Sequence, residues 1–175
     1  MPQSLIVYGS PKHNSFTAKL VDKIKPLLGD NYVVYDCFKN SPTPCNACNY
    51  CITRDGCQFN DLDDFFKTFE AANEVIIAFP IYNGGFPAPL KALIDRFQRL
   101  YNKRFARGIK PPISGKRNIT LVITAGSNSD HLPQIISQLG PLFTISGCTL
   151  KKAVVLSGTD NLSLNQDLSP KEFNF

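Results

Sequence analysis

Short apolar runs alternate along the chain with longer stretches in which apolar residues return every three or four positions. The first run, Ser4-Leu5-Ile6-Val7-Tyr8, is nearly continuous and is closed by Gly9-Ser10-Pro11, as expected of a strand covered on both faces. From Ser15 to Leu28 the spacing predicts a helix, with Phe16, Leu20, Ile24, Leu27 and Leu28 on one face and Gly29 as its stop. Tyr32 to Phe38 is strand-like. The Pro- and Cys-rich stretch from Ser41 to Cys57 fits neither period and reads as a loop or compact insertion. Helical spacing resumes from Asp61 to Ala72 through Leu62, Phe65, Phe66 and Phe69, with Asn60 or Asp61 as a cap and acidic residues in the first turn. Glu74–Phe79 predicts a third strand, and Pro87–Leu100 a helix presenting Leu90, Leu93, Ile94, Phe97 and Tyr101 on one side. A basic loop, Lys103 to Lys116, contains Pro111-Pro112. The last predicted elements are a strand at Ile119–Thr124, a helix at Leu132–Ile145 and a strand at Leu150–Leu156.

Repeated strand–helix units of this kind imply parallel strands joined by right-handed crossovers, with helices on both faces. The predicted fold class is α/β: a three-layer, doubly wound, five-stranded parallel sheet in the flavodoxin-like order 2-1-3-4-5. The chain then reverses direction beside strand one, and a crevice opens at the C-terminal ends of strands one and three. One domain spans 1–175, with the Cys-rich insertion at 41–57. A polar tail from about residue 159 ends Glu172-Phe173-Asn174-Phe175, either frayed or docked on a partner subunit.

Composition narrows the class further. With 175 residues, 43% hydrophobic and 19% charged, the chain can bury a core without staples and is too apolar to be disordered. No apolar stretch approaches the roughly 20 residues of a membrane helix, so no membrane partner is expected. The start, Met1-Pro2-Gln3-Ser4, has neither a basic region nor a cleavage site, which leads to the expectation of no secretory leader and a cytoplasmic setting. A net charge of +5 suits an anionic ligand, a nucleic acid or nothing special. Nucleic acid is the weaker partner, since the basic cluster lacks a recognition helix or a stacking platform.

The six cysteines do not read as a disulfide framework. Four crowd into Cys45-x2-Cys48-x2-Cys51-x5-Cys57, a spacing that suits metal, cluster or redox chemistry in a reducing compartment. Four thiolates so close can bind zinc tetrahedrally or hold an iron–sulfur cluster, or they can be packing and redox-sensitive thiols. Cys37 and Cys148 fall in strand-like positions and read as inert core residues.

Two loops stand at the predicted crevice. Gly9-Ser10-Pro11-Lys12-His13-Asn14-Ser15-Phe16-Thr17 leaves a buried strand and enters a helix. Its hydroxyls at 10, 15 and 17 and its free backbone N–H groups predict an anion cradle suited to a phosphate monoester, though Ser15 is a good helix cap whatever the function. Neither a Walker loop nor GxGxxG is present. The second loop, Phe79-Pro80-Ile81-Tyr82-Asn83-Gly84-Gly85-Phe86-Pro87-Ala88-Pro89-Leu90-Lys91, has adjacent glycines that permit tight turns and close approach of a flat ring. Tyr82 and Phe86 offer aromatic surface beside it.

Together these two loops, the second continuing through Ala92-Leu93-Ile94-Asp95-Arg96, resemble the NADPH-dependent FMN reductase family of flavodoxin-fold proteins. The resemblance is strongest to the branch with iron–sulfur flavoproteins and multimeric flavodoxins. It implies that the first loop binds the FMN phosphate, making Ser10, Lys12, Asn14, Ser15, Phe16 and Thr17 candidates, although the family often has a small polar residue where Phe16 stands. It implies ring or ribityl contacts at Pro80, Ile81, Tyr82, Asn83, Gly84 and Gly85. A third loop, Thr124-Ala125-Gly126-Ser127-Asn128, is expected to approach the ring from its other edge. The cysteine spacing resembles the motif that holds a [4Fe–4S] cluster in iron–sulfur flavoproteins, with Cys45, Cys48, Cys51 and Cys57 as ligands.

The implied function is an FMN-dependent NAD(P)H oxidoreductase. Electrons pass from reduced nicotinamide through FMN to a quinone, flavin, other small molecule or protein acceptor. The alternative is an iron–sulfur flavoprotein acting as an electron carrier or redox sensor. Flavin chemistry asks the protein for orientation and electrostatics, so no catalytic nucleophile or base is expected, in keeping with only two histidines. The basic residues Lys103, Arg104, Arg107, Lys110, Lys116 and Arg117 read either as a solvated loop or as a site for nicotinamide phosphates. The resemblance also implies a homodimer or homotetramer.

Overall fold

A computed structural model of the chain describes residues 4–128 and 130–165. Five parallel strands form one sheet in the order β2-β1-β3-β4-β5: β1 (Ser4–Tyr8), β2 (Tyr32–Asp36), β3 (Glu74–Pro80), β4 (Arg117–Thr124) and β5 (Cys148–Leu156). The order is the one expected from the alternating pattern. The helices are α1 (Phe16–Ile24), α2 (Cys37–Asn40), α3 (Tyr50–Thr53), α4 (Asp63–Ala71), α5 (Ala88–Asp95), α6 (Gln98–Phe105) and α7 (Leu132–Ser146). Residues 166–175, where the predicted tail ends, lie outside the described residues.

Alternate residues of the central strands build two cores. On one face Leu5, Val7, Ile77, Phe79 and Leu121 meet the phenylalanines of α4, Leu90 and Leu93 of α5, and Ile135 and Leu139 of α7. On the other, Ile6, Tyr8, Ile76, Ala78 and Val122 meet Ala18, Leu20, Val21 and Ile24 of α1. Burial on both faces is why β1 and β3 read as continuous apolar runs.

Several boundaries depart from the pattern, α4 for instance starting at Asp63 with Leu62 rather than Asn60 or Asp61 at its cap, and three of the departures have a clear local reason. The helix predicted to Leu28 stays α-helical only to Ile24, then tightens to a 3-10 turn over Lys25–Leu28, because Pro26 has no N–H to continue the ladder. The second strand stops at Asp36 rather than Phe38. The Asp36 carboxylate accepts the Phe38 and Lys39 amides at 2.9 and 3.0 Å and starts α2. The helix predicted over Pro87–Leu100 is two helices, α5 and α6, parted at Arg96-Phe97, where backbone bonds shift to three-residue spacing. That break turns the Arg96 side chain inward. As a result Lys103 and Arg104 sit on α6 and not in a loop.

Candidate functional site

All three predicted loops gather at the C-terminal end of the sheet. The Gly9 amide donates to the Ala78 carbonyl at 2.8 Å, placing the first loop beside the end of β3. Glycine is required there: a Cβ would lie 2.8 Å from Leu90 Cδ2 and 3.2 Å from Phe79 Cβ. The Ile81 amide donates to the Thr124 carbonyl at 2.8 Å, and the Thr17 and Thr124 hydroxyls share a buried hydrogen bond of 2.8 Å. The start of α1, the loop after β3 and the end of β4 therefore form one locked floor.

In the first loop the hydroxyls serve the fold. Ser10, only 2% exposed, exchanges hydrogen bonds of 3.3 Å with the backbone of Lys12. Ser15 caps α1 by accepting the Ala18 amide at 3.2 Å and donates to the Lys12 carbonyl at 2.9 Å. Thr17 is held by Thr124. Half-buried Phe16 packs against the α1 core. The backbone is different: among the described residues, the amides of His13, Asn14, Ser15, Phe16 and Thr17 have no protein acceptor. Successive free N–H groups at a helix N-terminus make an anion-binding concavity. Lys12 and Asn14 are exposed beside it. His13 stacks on Tyr8 and pairs with Asp36 at 3.2 Å.

The second loop turns at Asn83-Gly84, not at the paired glycines. Both residues have positive φ, +50° and +74°, and Tyr82 and Gly85 exchange hydrogen bonds of 3.0 and 2.9 Å across them. This is a two-residue turn with mirror-image geometry, which favours Asn-Gly. The Gly85 amide is consumed within the turn, so the Asn83 and Gly84 amides are the ones left to donate. Gly85 has no left-handed φ, and a Cβ there would meet nothing nearer than 3.9 Å. The chain itself does not demand glycine at that position. Half-buried Pro80 and Ile81 form the base of the loop and Tyr82 is exposed above it, whereas Phe86 turns away and packs on Phe79 at 5.1 Å.

The third loop is pinned from behind. Ala125 accepts the Thr159 amide at 3.0 Å and the Thr159 hydroxyl at 3.1 Å, and Ser127 accepts the Gly158 amide at 3.0 Å. A side chain at Gly126 would run into the Asp160 carboxylate, whose atoms lie 2.5–2.8 Å from the Cβ position. The polar residues after β5 thus act as a brace, a role of which polarity was the sole sign along the chain.

The Cys-rich insertion forms the second candidate centre. Cys45, Cys48, Cys51 and Cys57 all line one cavity of about 370 Å³, with Arg96, Arg99, Gln98 and Asn102 among its walls. Ala47 and Asn49, on either side of Cys48, hold left-handed φ of +56° and +63°. Non-glycine residues rarely adopt that conformation, and such strain collects at ligand clamps. Among the described residues no three His, Cys, Asp or Glu side chains converge on a point where one ion can sit. Four thiols lining one cavity are the donor type that either a zinc ion or an iron–sulfur cluster takes.

Arg96 clasps the insertion at its base. Fully buried, it donates to the carbonyls of Thr43 and Phe59 at 2.8 and 2.9 Å and pairs with Asp61 at 2.9 Å. Burial pushes the Asp61 carboxyl up, but hydrogen bonds from Arg96 and the Thr43 amide, with the Arg96 charge, outweigh it and hold the pKa below the usual carboxylate value. The clasp thus contributes stability above the unfolded carboxylate pKa, lost as pH falls through the depressed one. The two remaining cysteines behave as core. Burial, then the nearby Asp36 charge, pushes the Cys37 thiol up to about 12, and burial also raises Cys148.

Most of the basic stretch is engaged within the protein. Lys103 and Arg107 pair with Asp55 at 3.4 and 3.1 Å, and Arg107 donates to the Arg54 carbonyl at 2.9 Å, so these charges tie the insertion to α6. Arg104 lies over the Phe105 ring, and Arg117 is buried at 2% exposure. Of the six, Lys110 and Lys116 are exposed without a described partner.

Known proteins resemble this chain in sequence or in fold. The chain is 40% identical over 80 residues to an iron–sulfur flavoprotein of Methanosarcina thermophila, covering 43% of this chain and 42% of the relative. It is 27% identical over 124 residues to one of Archaeoglobus fulgidus, covering 69% and 53%. It thus spans about half the length of these curated relatives. Among solved structures, an FMN-dependent NADH-azoreductase from Bacillus anthracis in complex with FMN superposes with a TM-score of 0.62 at 17% identity, over 93% of this chain and 90% of that one. An NAD(P)H:quinone oxidoreductase from Methanothermobacter marburgensis gives 0.66 at 15%, over 90% and 85%. The family profile described as NADPH-dependent FMN reductase matches residues 2–161, and the chain belongs to that family.

Proposed function

We propose that the chain is an FMN-dependent NAD(P)H oxidoreductase. Reduced nicotinamide gives up one hydride, and a quinone, a flavin, another small molecule or a protein takes the electrons. The observation that carries this reading is the run of five unpartnered amides from His13 to Thr17 after β1, with the Asn83-Gly84 turn in the loop after the neighbouring strand β3. These amides would hold the FMN phosphate, with Lys12 adding charge. The Asn83 and Gly84 amides would donate to the ring where negative charge develops on reduction. Gly85 leaves the ring room, and Tyr82 covers one side of it. FMN, when bound, supplies hydride acceptance at N5 and release of electrons singly or in pairs. The chain's part is to bind, orient and stabilise charge.

A test is direct. The purified chain incubated with FMN is expected to retain a yellow chromophore through gel filtration and to oxidise NADPH steadily with a quinone present. Failure to bind FMN would overturn the reading, and binding without turnover across several acceptors would leave only a carrier.

The four-cysteine cavity favours a second component, a [4Fe–4S] cluster that relays electrons one at a time. The carrier or redox-sensor reading rests on it, and the names of the curated relatives support it. Reconstitution with iron and sulfide is expected to add a broad brown shoulder to the spectrum, and Cys48→Ser to abolish it while FMN binding persists. Equal iron in the wild type and the serine variant would dismiss the cysteines as ligands.

Two further elements belong to the proposal. A homodimer or homotetramer is supported by Tyr101 and Phe105, which pack at 4.6 Å on α6 yet remain 44% and 57% exposed. A reducing, cytoplasmic setting is supported by the four clustered cysteines, which are free thiols. Among the described residues no helix is long and apolar enough to cross a membrane.

A further inference from the structure

Asn102 takes no part in the flavin site, yet its side chain is aimed at a cysteine. Half-buried on α6, it donates from Nδ2 to Cys51 Sγ at 3.2 Å. One turn earlier, Gln98 donates from Nε2 to Asn102 Oδ1 at 3.4 Å. That contact turns the amide oxygen away from the sulfur and the N–H toward it. Both residues stand in the wall of the four-cysteine cavity. The main chain of Asn102 is also anchored, its carbonyl accepting the Ala106 and Arg107 amides at 2.9 and 3.1 Å.

A neutral thiol is a weak acceptor and gains little from such a donor, whereas a charged sulfur gains much more. Cys45, Cys48 and Cys57 have no side-chain or backbone donor among the described contacts. The arrangement is therefore asymmetric: one cysteine of the four is singled out. Gaining an electron places more negative charge on the ligating sulfurs, and hydrogen bonds to those sulfurs are among the levers that set a cluster's reduction potential.

We propose that Asn102 is a tuning residue, whose N–H on the Cys51 sulfur raises the reduction potential of the cluster held by the four cysteines, with Gln98 orienting the amide. The inference rests on the cluster reading given above. The reaction it adjusts is the transfer of one electron from reduced flavin to the cluster. No covalent bond forms or breaks in that step, and no proton needs to reach the sulfur. Asn102 makes the cluster a better acceptor without being a ligand.

The experiment is a potentiometric titration of the whole chain reconstituted with iron, sulfide and FMN. Wild type is compared with Asn102→Leu, Asn102→Asp and Gln98→Leu. Iron content and FMN affinity are expected to match wild type in all three, since neither residue reaches the flavin loops. The midpoint is expected to move to more negative potential in Asn102→Leu. It should move further in Asn102→Asp, which replaces a donor with a charge, and less in Gln98→Leu, which keeps the donor but loses its orienting partner. A leucine variant with wild-type iron and an unchanged midpoint overturns the role of Asn102 and leaves the cluster reading intact. If that variant loses its iron, Gln98→Leu decides, and an unshifted midpoint there overturns the proposal. A wild-type chain that takes up no iron and sulfide overturns the cluster reading and the inference with it.

Discussion

Replacing Ser10 with glutamate is expected to weaken FMN binding at least a hundredfold. Ser10 is almost wholly buried in the loop that carries the amide cradle, where solvent screens little. A carboxylate there occupies the space of a phosphate and competes for the same N–H groups. Two unit charges about 4 Å apart near a protein surface repel by roughly 4 kcal/mol, and about 2.7 kcal/mol already corresponds to a hundredfold in affinity. Quenching of FMN fluorescence on titration with the cofactor-free chain measures the effect. Ser10→Ala is the companion variant, expected to stay within about tenfold of wild type, because the serine hydroxyl bonds to the Lys12 backbone rather than facing the cradle. Wild-type affinity in a folded glutamate variant would show that the phosphate binds elsewhere.

The second large effect concerns stability. Arg117→Leu is expected to destabilise the fold by about 3–5 kcal/mol, the range found when a buried charged group is removed from its partners. Arg117 donates from Nε to Phe69 O at 2.6 Å, from Nη1 to Ser146 O at 2.9 Å, and from Nη2 to Glu70 O at 2.8 Å and Ser114 O at 2.6 Å. Phe69 and Glu70 are in the last turn of α4, and Ser146 ends α7. One guanidinium therefore closes the carbonyl ends of two helices, where orphan acceptors and the helix dipole both favour a cation. Leucine fills part of the volume but strands those carbonyls away from water. Urea unfolding should show a lower midpoint with an unchanged slope. Arg117→Lys should recover little, since an ammonium group cannot span the same fork. A midpoint within error of wild type would contradict the hub role.

The sheet order was legible because β1 and β3 are buried on both faces and so read as unbroken apolar runs. The crevice followed from that order. Less legible were features created by single polar side chains acting over long sequence separations. Arg96 lies inside a run of good helical spacing, and nothing local says that it must reach Thr43, Phe59 and Asp61 and so part α5 from α6. Arg117 looked like one more charge in a basic stretch, and its burial depends on two helix ends far away in sequence. The flavin-loop candidates were found by residue type. Which groups remain free to bind was set by geometry: the hydroxyls of Ser10, Ser15 and Thr17 are turned to the chain, while the neighbouring amides are left open. Residue spacing brought the four cysteines into one constellation but carried no trace of the Asn102 contact, because an i-to-i+51 hydrogen bond has no sequence period.

Helix α5 has eight residues, which makes it about 12 Å long at 1.5 Å per residue. The loop proposed to carry the flavin ring leads into its first turn, and its last residue, Asp95, already belongs to the wall of the cysteine cavity. The two proposed redox centres are thus spaced by a single short, packed element rather than by a hinge or a linker. Tunnelling between them would need no rearrangement of the backbone. Its rate would be set by the fixed separation, the driving force and the reorganisation energy, and freezing the protein's slower backbone motions should leave it little changed.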